Sequence, residues 1–99
     1  MFFELTAFQI HLLFMISGCE KPKGLAVKSG LENDSDQEIN HGRLYPNLDT
    51  LVEKELVEKG ELDRRTNYYE TTDRGEKLLD EYQYWQDQQR HEDTLAHLK

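Results

Sequence analysis

The chain is short of several things, and each shortage closes off a class of function. Its 99 residues hold one cysteine, Cys19, which can form no internal disulfide and so fits a reducing, intracellular setting. Cys19 falls just past an expected helix end, where a small apolar filler is favoured over an exposed redox-sensing thiol. The histidines, at 11, 41, 91 and 97, show no paired spacing and have no companion cysteines, so no metal site is expected. There is no glycine-rich phosphate loop and no Ser or Cys nucleophile in a recognisable setting. Acids are plentiful, but abundance is not a catalytic pair; neither an enzyme nor a cofactor is expected. The longest apolar stretch, Leu5 to Ile16, has no basic leader, carries His11, and is shorter than the roughly 20 residues that cross a bilayer. It reads as a buried helix, and the expected location is the cytoplasm.

Positive charge is scarce too. Twelve Lys and Arg stand against twenty Asp and Glu, for a net charge of −8. That balance excludes a protein that merely coats nucleic acid by neutralising phosphate. The distribution is more informative than the sum. Glu32 to Glu38 holds four acids and no base, and Glu70 to Asp93 holds eight acids against three bases. Between Ile39 and Thr50 only Asp49 is acidic, and it follows His41 and Arg43. A large solvated excess of acid also suits a cytoplasm of very high salt, where screening removes most self-repulsion. A chain this short buries roughly two thirds of its unfolded surface. Its apolar residues are periodic enough for a folded domain, with some apolar surface left for a second copy to complete.

What is present reads as helix, helix, helix, strand, strand, helix. Thr6 predicts the N-cap of a first helix ending at Ser17 before Gly18, with Leu5, Phe8, Leu12, Met15 and Ile16 on its stripe and Ile10, Leu13 and Phe14 widening it. A second helix is expected from near Pro22 to about Asn33, with Leu25, Ala26 and Leu31 inward and Gly30 weakening it. Asn40 predicts the cap of a third, with His41, Gly42 and Arg43 in its first turn and Leu44, Leu48, Leu51 and Val52 on its buried face. Pro46 means that this helix either starts near Tyr45 or has a distorted first turn. Leu56 to Leu62 and Asn67 to Thr71 read as strands around a turn at Asp63 to Thr66. Thr72 predicts the cap of a last helix reaching about Arg90, its stripe Leu78, Leu79, Tyr82 and Trp85 continued by Leu95 and Leu98. The predicted class is mainly α with a small β-hairpin (α+β), a winged helix-turn-helix forming one domain over residues 1–99. Residues 6–72 would form a DNA-binding core that includes the wing, and residues 73–99 a C-terminal dimerisation helix.

In such a fold the third helix enters the major groove and the hairpin tip lies beside it. Arg43 stands in the leading turn, where a guanidinium can reach guanine; the competing reading is a surface ion pair with a nearby acid. Asn40 and Asn47 are weaker candidates, Asn40 as a simple cap and Asn47 as a phosphate contact or a solvent-facing amide. His41 is expected as a polar contact to DNA. Tyr45 would put its hydroxyl on a phosphate while its ring packs on the helix pair. Arg64 and Arg65 make the wing tip, suited to phosphate or a narrow minor groove, against the plainer reading of a solubilising turn. Thr66 and Asn67 complete the wing, and Lys21, Lys23 and Lys28 either add backbone contacts or offset neighbouring acids. Cations taken up at an acidic interface would let DNA binding persist in high salt.

The run Gly42, Leu44, Tyr45, Pro46, Leu48, Leu51, then Leu56-Val57, Arg64-Arg65, Tyr68-Tyr69 and Thr72 with Gly75, resembles the PadR family of winged-helix transcriptional regulators. The match covers roughly Leu5 to Tyr82, and the acidity resembles that of the short members from halophilic archaea. The resemblance implies a homodimer built from the first and last helices, here Leu5, Phe8, Leu12, Leu78, Leu79, Tyr82 and Trp85. It also implies repression of transcription, and Tyr69 turned inward. Two departures stand out. Glu55 occupies a position where the family generally has glycine at positive φ, which implies roughly 1 kcal/mol of backbone strain. The C-terminal part is a single helix, shorter than the helical domain of some members. A protein–protein module without a DNA site is the alternative that the same fold supports.

Overall fold

Side-chain caps set most of the helix starts in this chain. The computed structural model describes residues 2–90. A short 3-10 turn, Phe2–Glu4, precedes α1 (Ala7–Ser17), α2 (Gly24–Ser35), α3 (His41–Glu53), the strands β1 (Val57–Asp63) and β2 (Thr66–Thr71), and α4 (Asp73–Gln89). This is four helices and one antiparallel hairpin, the winged helix-turn-helix arrangement, mainly helical. Among the described residues no helix is long and apolar enough to cross a membrane. Leu95 and Leu98 lie outside the described residues.

Thr6 caps α1 reciprocally. Its hydroxyl accepts from the Gln9 N–H at 3.1 Å, and Gln9 Oε1 accepts from the Thr6 N–H at 3.0 Å. Leu12, Leu13, Ile16, Val27, Leu44, Leu48, Leu51 and Val57 are the largest fully buried side chains, joined in the core by Ile39, Leu56, Tyr69, Leu78 and Leu79. Burying each of the aliphatic ones contributes about 1.5–3 kcal/mol.

The expectation for α2 needs correction. The helix starts at Gly24, two residues after Pro22, because the chain there is drawn into the sheet: the Pro22 carbonyl accepts from the Tyr69 N–H at 2.9 Å, and Lys23 bridges Tyr68. This moves the inward face. Leu25 and Ala26 are exposed, Val27 takes the buried position, and Leu31 is half-buried. Gly30 packs against Met15, whose Sδ would lie 2.8 Å from a Cβ there.

Helix α3 starts at His41 despite Pro46. Asn40 Oδ1 accepts from the Arg43 N–H at 2.8 Å and fixes the first turn. Pro46 withholds an N–H from the carbonyl of Gly42, an exposed residue that water reaches. The far end closes as a Schellman motif: the Glu55 N–H donates to Val52 and the Leu56 N–H to Leu51, each at 3.0 Å, with Glu55 left-handed at φ 62. Leu56, buried against Leu51, turns the chain into β1. Thr72 then locks α4 to this corner. Its hydroxyl donates to the Glu55 carbonyl at 2.7 Å and accepts from the Gly75 N–H at 3.0 Å. A Cβ on Gly75 would lie 2.2 Å from the Leu56 carbonyl oxygen, so the Thr-x-x-Gly spacing is a cap followed by a close approach of backbones.

Candidate nucleic-acid interface

Two ridges run along the leading half of α3. On one, Asn40, Arg43 and Asn47 recur at three and four, and Arg43 and Asn47 meet Phe8 and Gln9 of α1. On the other, His41 and Tyr45 stack edge to face, with ring centroids 5.7 Å apart, toward α2 and the wing. The Tyr45 ring seats on α2, where a Cβ on Gly24 would come within 2.9 Å of it.

The second ridge opens on a groove of about 380 Å³ lined by Lys23, Gly24, Leu25, Tyr45, Arg65, Thr66, Asn67 and Tyr69. Lys23, Tyr45, Arg65, Thr66 and Asn67, expected at the DNA on sequence grounds, therefore share one cavity between the start of α2, the middle of α3 and the wing. Leu25, expected inward, is 56% exposed at its rim. Tyr69 closes the floor. Burial and the charge of Asp49 push its phenol above the ordinary value.

Asn40, His41, Arg43, Asn47 and Arg64 stand outside that groove. Asn40 spends its side-chain oxygen on the cap. Asn47 is half-buried with both ends of its amide in use, accepting from Gln9 Nε2 at 3.0 Å and donating to the Arg43 carbonyl at 2.7 Å. Arg43 has no carboxylate partner among the described residues; its guanidinium carbon lies 3.9 Å from the centroid of the Phe8 ring. Among the described residues, Arg43 thus rests on a ring and not in an ion pair. Phe8 and Gln9 carried no signal for this in one dimension, being an apolar stripe position and a capping-box residue more than thirty residues away.

Arg64 and Arg65 form the exposed two-residue tip of the hairpin. Asp63 Oδ1 accepts from the Arg65 N–H at 2.9 Å, and that bond holds the Asp63 carboxyl below its ordinary value. Behind the tip, Tyr68 lies across Gly60, leaving no room for a Cβ there. Lys21 Nζ stands 5.2 Å over the Tyr68 ring. Lys28 pairs with Glu32 at 3.0 Å, so this lysine offsets an acid. Cys19 is exposed, not the apolar filler expected, because α1 ends before the chain turns outward.

A model of the Transcriptional regulator PadR-like family matches residues 12–81. The chain belongs to the PadR-like family of transcriptional regulators. Family membership makes it a transcription factor and not an enzyme. Among solved structures, H. salinarum RosR grown from NaBr is 43% identical, covering 99% of this chain and 90% of that one, with a TM-score of 0.85. The complex structure of hsRosR-S1 gives 44% identity, 96% and 86% coverage and a TM-score of 0.83. Bacillus subtilis PadR in complex with operator DNA shares the fold at 18% identity, with 78% of this chain and 46% of that one covered and a TM-score of 0.64. Among curated proteins, none matches the chain.

The residues expected at a dimer contact separate into two sets. Leu12, Leu78 and Leu79, expected at the contact, are packed into this chain's own core, with little or none of their surface exposed. Phe8 is occupied by Arg43, and Leu5 is half-buried beside the core. Tyr82 and Trp85 remain on an aromatic face with Phe2 and Phe3, which sequence reasoning missed. Phe3 is 66% and Trp85 38% exposed. Among the described residues no cluster of His, Cys, Asp or Glu could hold a metal ion.

Proposed function

We propose that the chain is a homodimeric, sequence-specific DNA-binding repressor. The observation that carries this reading is the groove shared by Lys23, Tyr45, Arg65, Thr66 and Asn67 beside the middle of α3, with Arg43 in the leading turn making no ion pair among the described residues. A helix of this kind reads base edges through its first turns, and a bidentate guanidinium on guanine is the commonest specific contact. Asn40 and His41 stand in the same turn, with Asn47 behind them as a brace. The wing arginines, whose side chains make no ion pair among the described residues, fit phosphate or minor-groove contacts. Residues 6–72 are the DNA-binding core and the last helix, from 73 on, is the dimerisation element. The aromatic face supports a second copy: Phe3 and Trp85 are exposed beside half-buried Tyr82 and buried Phe2, and exposed rings are otherwise a liability to solubility.

The net charge of −8 fits work in a salt-rich cytoplasm. Acids close to the DNA would take up cations on binding and so reverse the usual loss of affinity with salt. The test is fluorescence anisotropy with the duplex upstream of the chain's own coding region and a scrambled duplex, from low to molar potassium chloride. Tighter binding of the native duplex, persisting into molar salt, is the expected result. Equal binding of both duplexes at every salt would exclude this duplex as the target and make the protein–protein module the leading reading. Sedimentation at working concentration checks the dimer, and a monomer would remove that part.

A further inference from the structure

We infer that the first turn of α1 is a positioning element for the reading edge of α3, with Phe8 acting as a shelf for the Arg43 guanidinium. The inference rests on the proposal that α3 faces DNA. Its basis is a pair of contacts from adjacent residues to the same turn. The Arg43 guanidinium carbon lies 3.9 Å from the Phe8 ring centroid. Gln9, only 9% exposed, donates through Nε2 to Asn47 Oδ1 at 3.0 Å, and Asn47 Nδ2 donates to the Arg43 carbonyl at 2.7 Å. Gln9 cannot swing away freely, because its Oε1 accepts from the Thr6 N–H at 3.0 Å. One capped turn therefore holds Arg43 at both ends, its backbone through Gln9 and Asn47 and its side chain through Phe8.

The chemistry of the shelf matters as much as its place. A carboxylate would fix an arginine by consuming the donors that guanine O6 and N7 need. An aromatic face attracts the cation through its quadrupole and accepts no strong hydrogen bond from it. Among the described residues no hydrogen bond or ion pair engages the Arg43 guanidinium, so its donors are still to be spent. Arginine has one of the larger side-chain entropies to lose on ordering, and a neutral shelf reduces that loss before DNA arrives.

Phe8→Leu separates this role from packing, since leucine keeps the half-buried apolar contact and removes the ring. Thermal unfolding establishes that the variant is folded. DNA binding is read as the ratio of affinities for a duplex selected from a random pool by the wild-type protein and for a scrambled one. F8L is expected to weaken the selected duplex by about twofold to tenfold while leaving the scrambled one nearly unchanged. F8W, which keeps a ring, should retain wild-type discrimination. F8L/R43A should discriminate no worse than R43A alone, because both remove one interaction. In the free protein, the Arg43 Cδ protons should show an upfield ring-current shift that F8L abolishes. Equal weakening of both duplexes by F8L, or additive losses in the double variant, would overturn the positioning role, as would the absence of the shift in wild type. A protein that shows the shift but prefers no duplex would overturn the DNA-binding reading, and the role with it, while leaving the contact as packing.

Discussion

Helix α3 and the wing each carry arginines, yet the two are held in opposite ways. Helix α3 is braced along its whole length. Asn40 caps its start, Gln9 and Asn47 tie its middle to α1, and the Schellman turn with Thr72 clamps its end. The wing is held by its own antiparallel ladder and by the bridge from Pro22 and Lys23 at its base, and its tip arginines make no ion pair among the described residues. Fixed donors discriminate between bases because a misplaced acceptor leaves them unsatisfied, whereas a cation on a phosphate carries no sequence information. On the proposed function, specificity would fall to the braced helix and sequence-independent affinity to the wing tip.

The most direct way to break the comparison is to remove a brace. Gly75→Ala would drive a methyl group into the Leu56 carbonyl, 2.2 Å away, at the corner that anchors the end of α3. Backbone on both sides leaves little room to yield, so destabilisation of about 1–3 kcal/mol is expected. Thermal denaturation should show a midpoint lower by at least about 4 °C. An unshifted midpoint would show that α4 is free to move off this corner.

The next two variants test the division of labour itself. Arg43→Ala should reduce discrimination between selected and scrambled duplex by about 1–3 kcal/mol. Arg65→Ala should weaken both duplexes nearly alike and make the slope of log affinity against log salt more positive by about one. Competition binding at several salt concentrations distinguishes them. If the wing variant proves the more discriminating of the two, the assignment of roles is reversed.

Most of the architecture was legible in the sequence because it is local. Thr6, Asn40 and Thr72 each announce a helix start, and the period of Leu44, Leu48 and Leu51 gives the buried face of α3. Arg64-Arg65 between two short strands marks the hairpin. What escaped is long-range. Pro22 looks like a helix start until its carbonyl is seen pairing with Tyr69, and moving that boundary turns Leu25 outward. An apolar stripe shows that Leu12, Leu78 and Leu79 seek cover, but not whether the cover is this chain or a twin. Phe8 under Arg43 pairs a stripe residue with a base from another helix, which no spacing rule connects.

Glu55 offers a gentler test, at the end of the brace. A non-glycine residue at φ 62 carries a steric penalty that glycine avoids, partly offset by the entropy glycine loses on folding. Its carboxylate contact to Arg74, 3.5 Å away and solvent-exposed, is worth little. Glu55→Gly should therefore stabilise the fold by up to about 1 kcal/mol, read as a raised unfolding midpoint, with DNA discrimination unchanged. A lowered midpoint would mean that the corner tolerates glutamate without strain.

The smallest effect concerns the turn leading into α3. Glu32 accepts from the Ile39 N–H at 2.7 Å and from Lys28 Nζ at 3.0 Å. The Ile39 bond comes first among the causes that hold its carboxyl below the ordinary value of 4.5. A carboxyl with a lowered folded-state pKa stabilises the fold above its unfolded value, and that contribution is lost as pH falls through the folded one. Stability should thus decline on acidification below about pH 4.5, in part through Glu32. Glu32→Gln keeps an acceptor for Ile39 and removes the titration, so its unfolding midpoint should fall less steeply over that range. Asp63 is the matching carboxylate of the wing, lowered by the Arg65 N–H, and Asp63→Asn should flatten the same decline. Because Glu32 fixes the approach to Asn40 while Asp63 shapes only the hairpin tip, Glu32→Gln alone should also make discrimination between duplexes less sensitive to acid. Equal pH profiles of discrimination in the two variants would show that the turn before α3 is no more a part of the reading edge than the wing tip is.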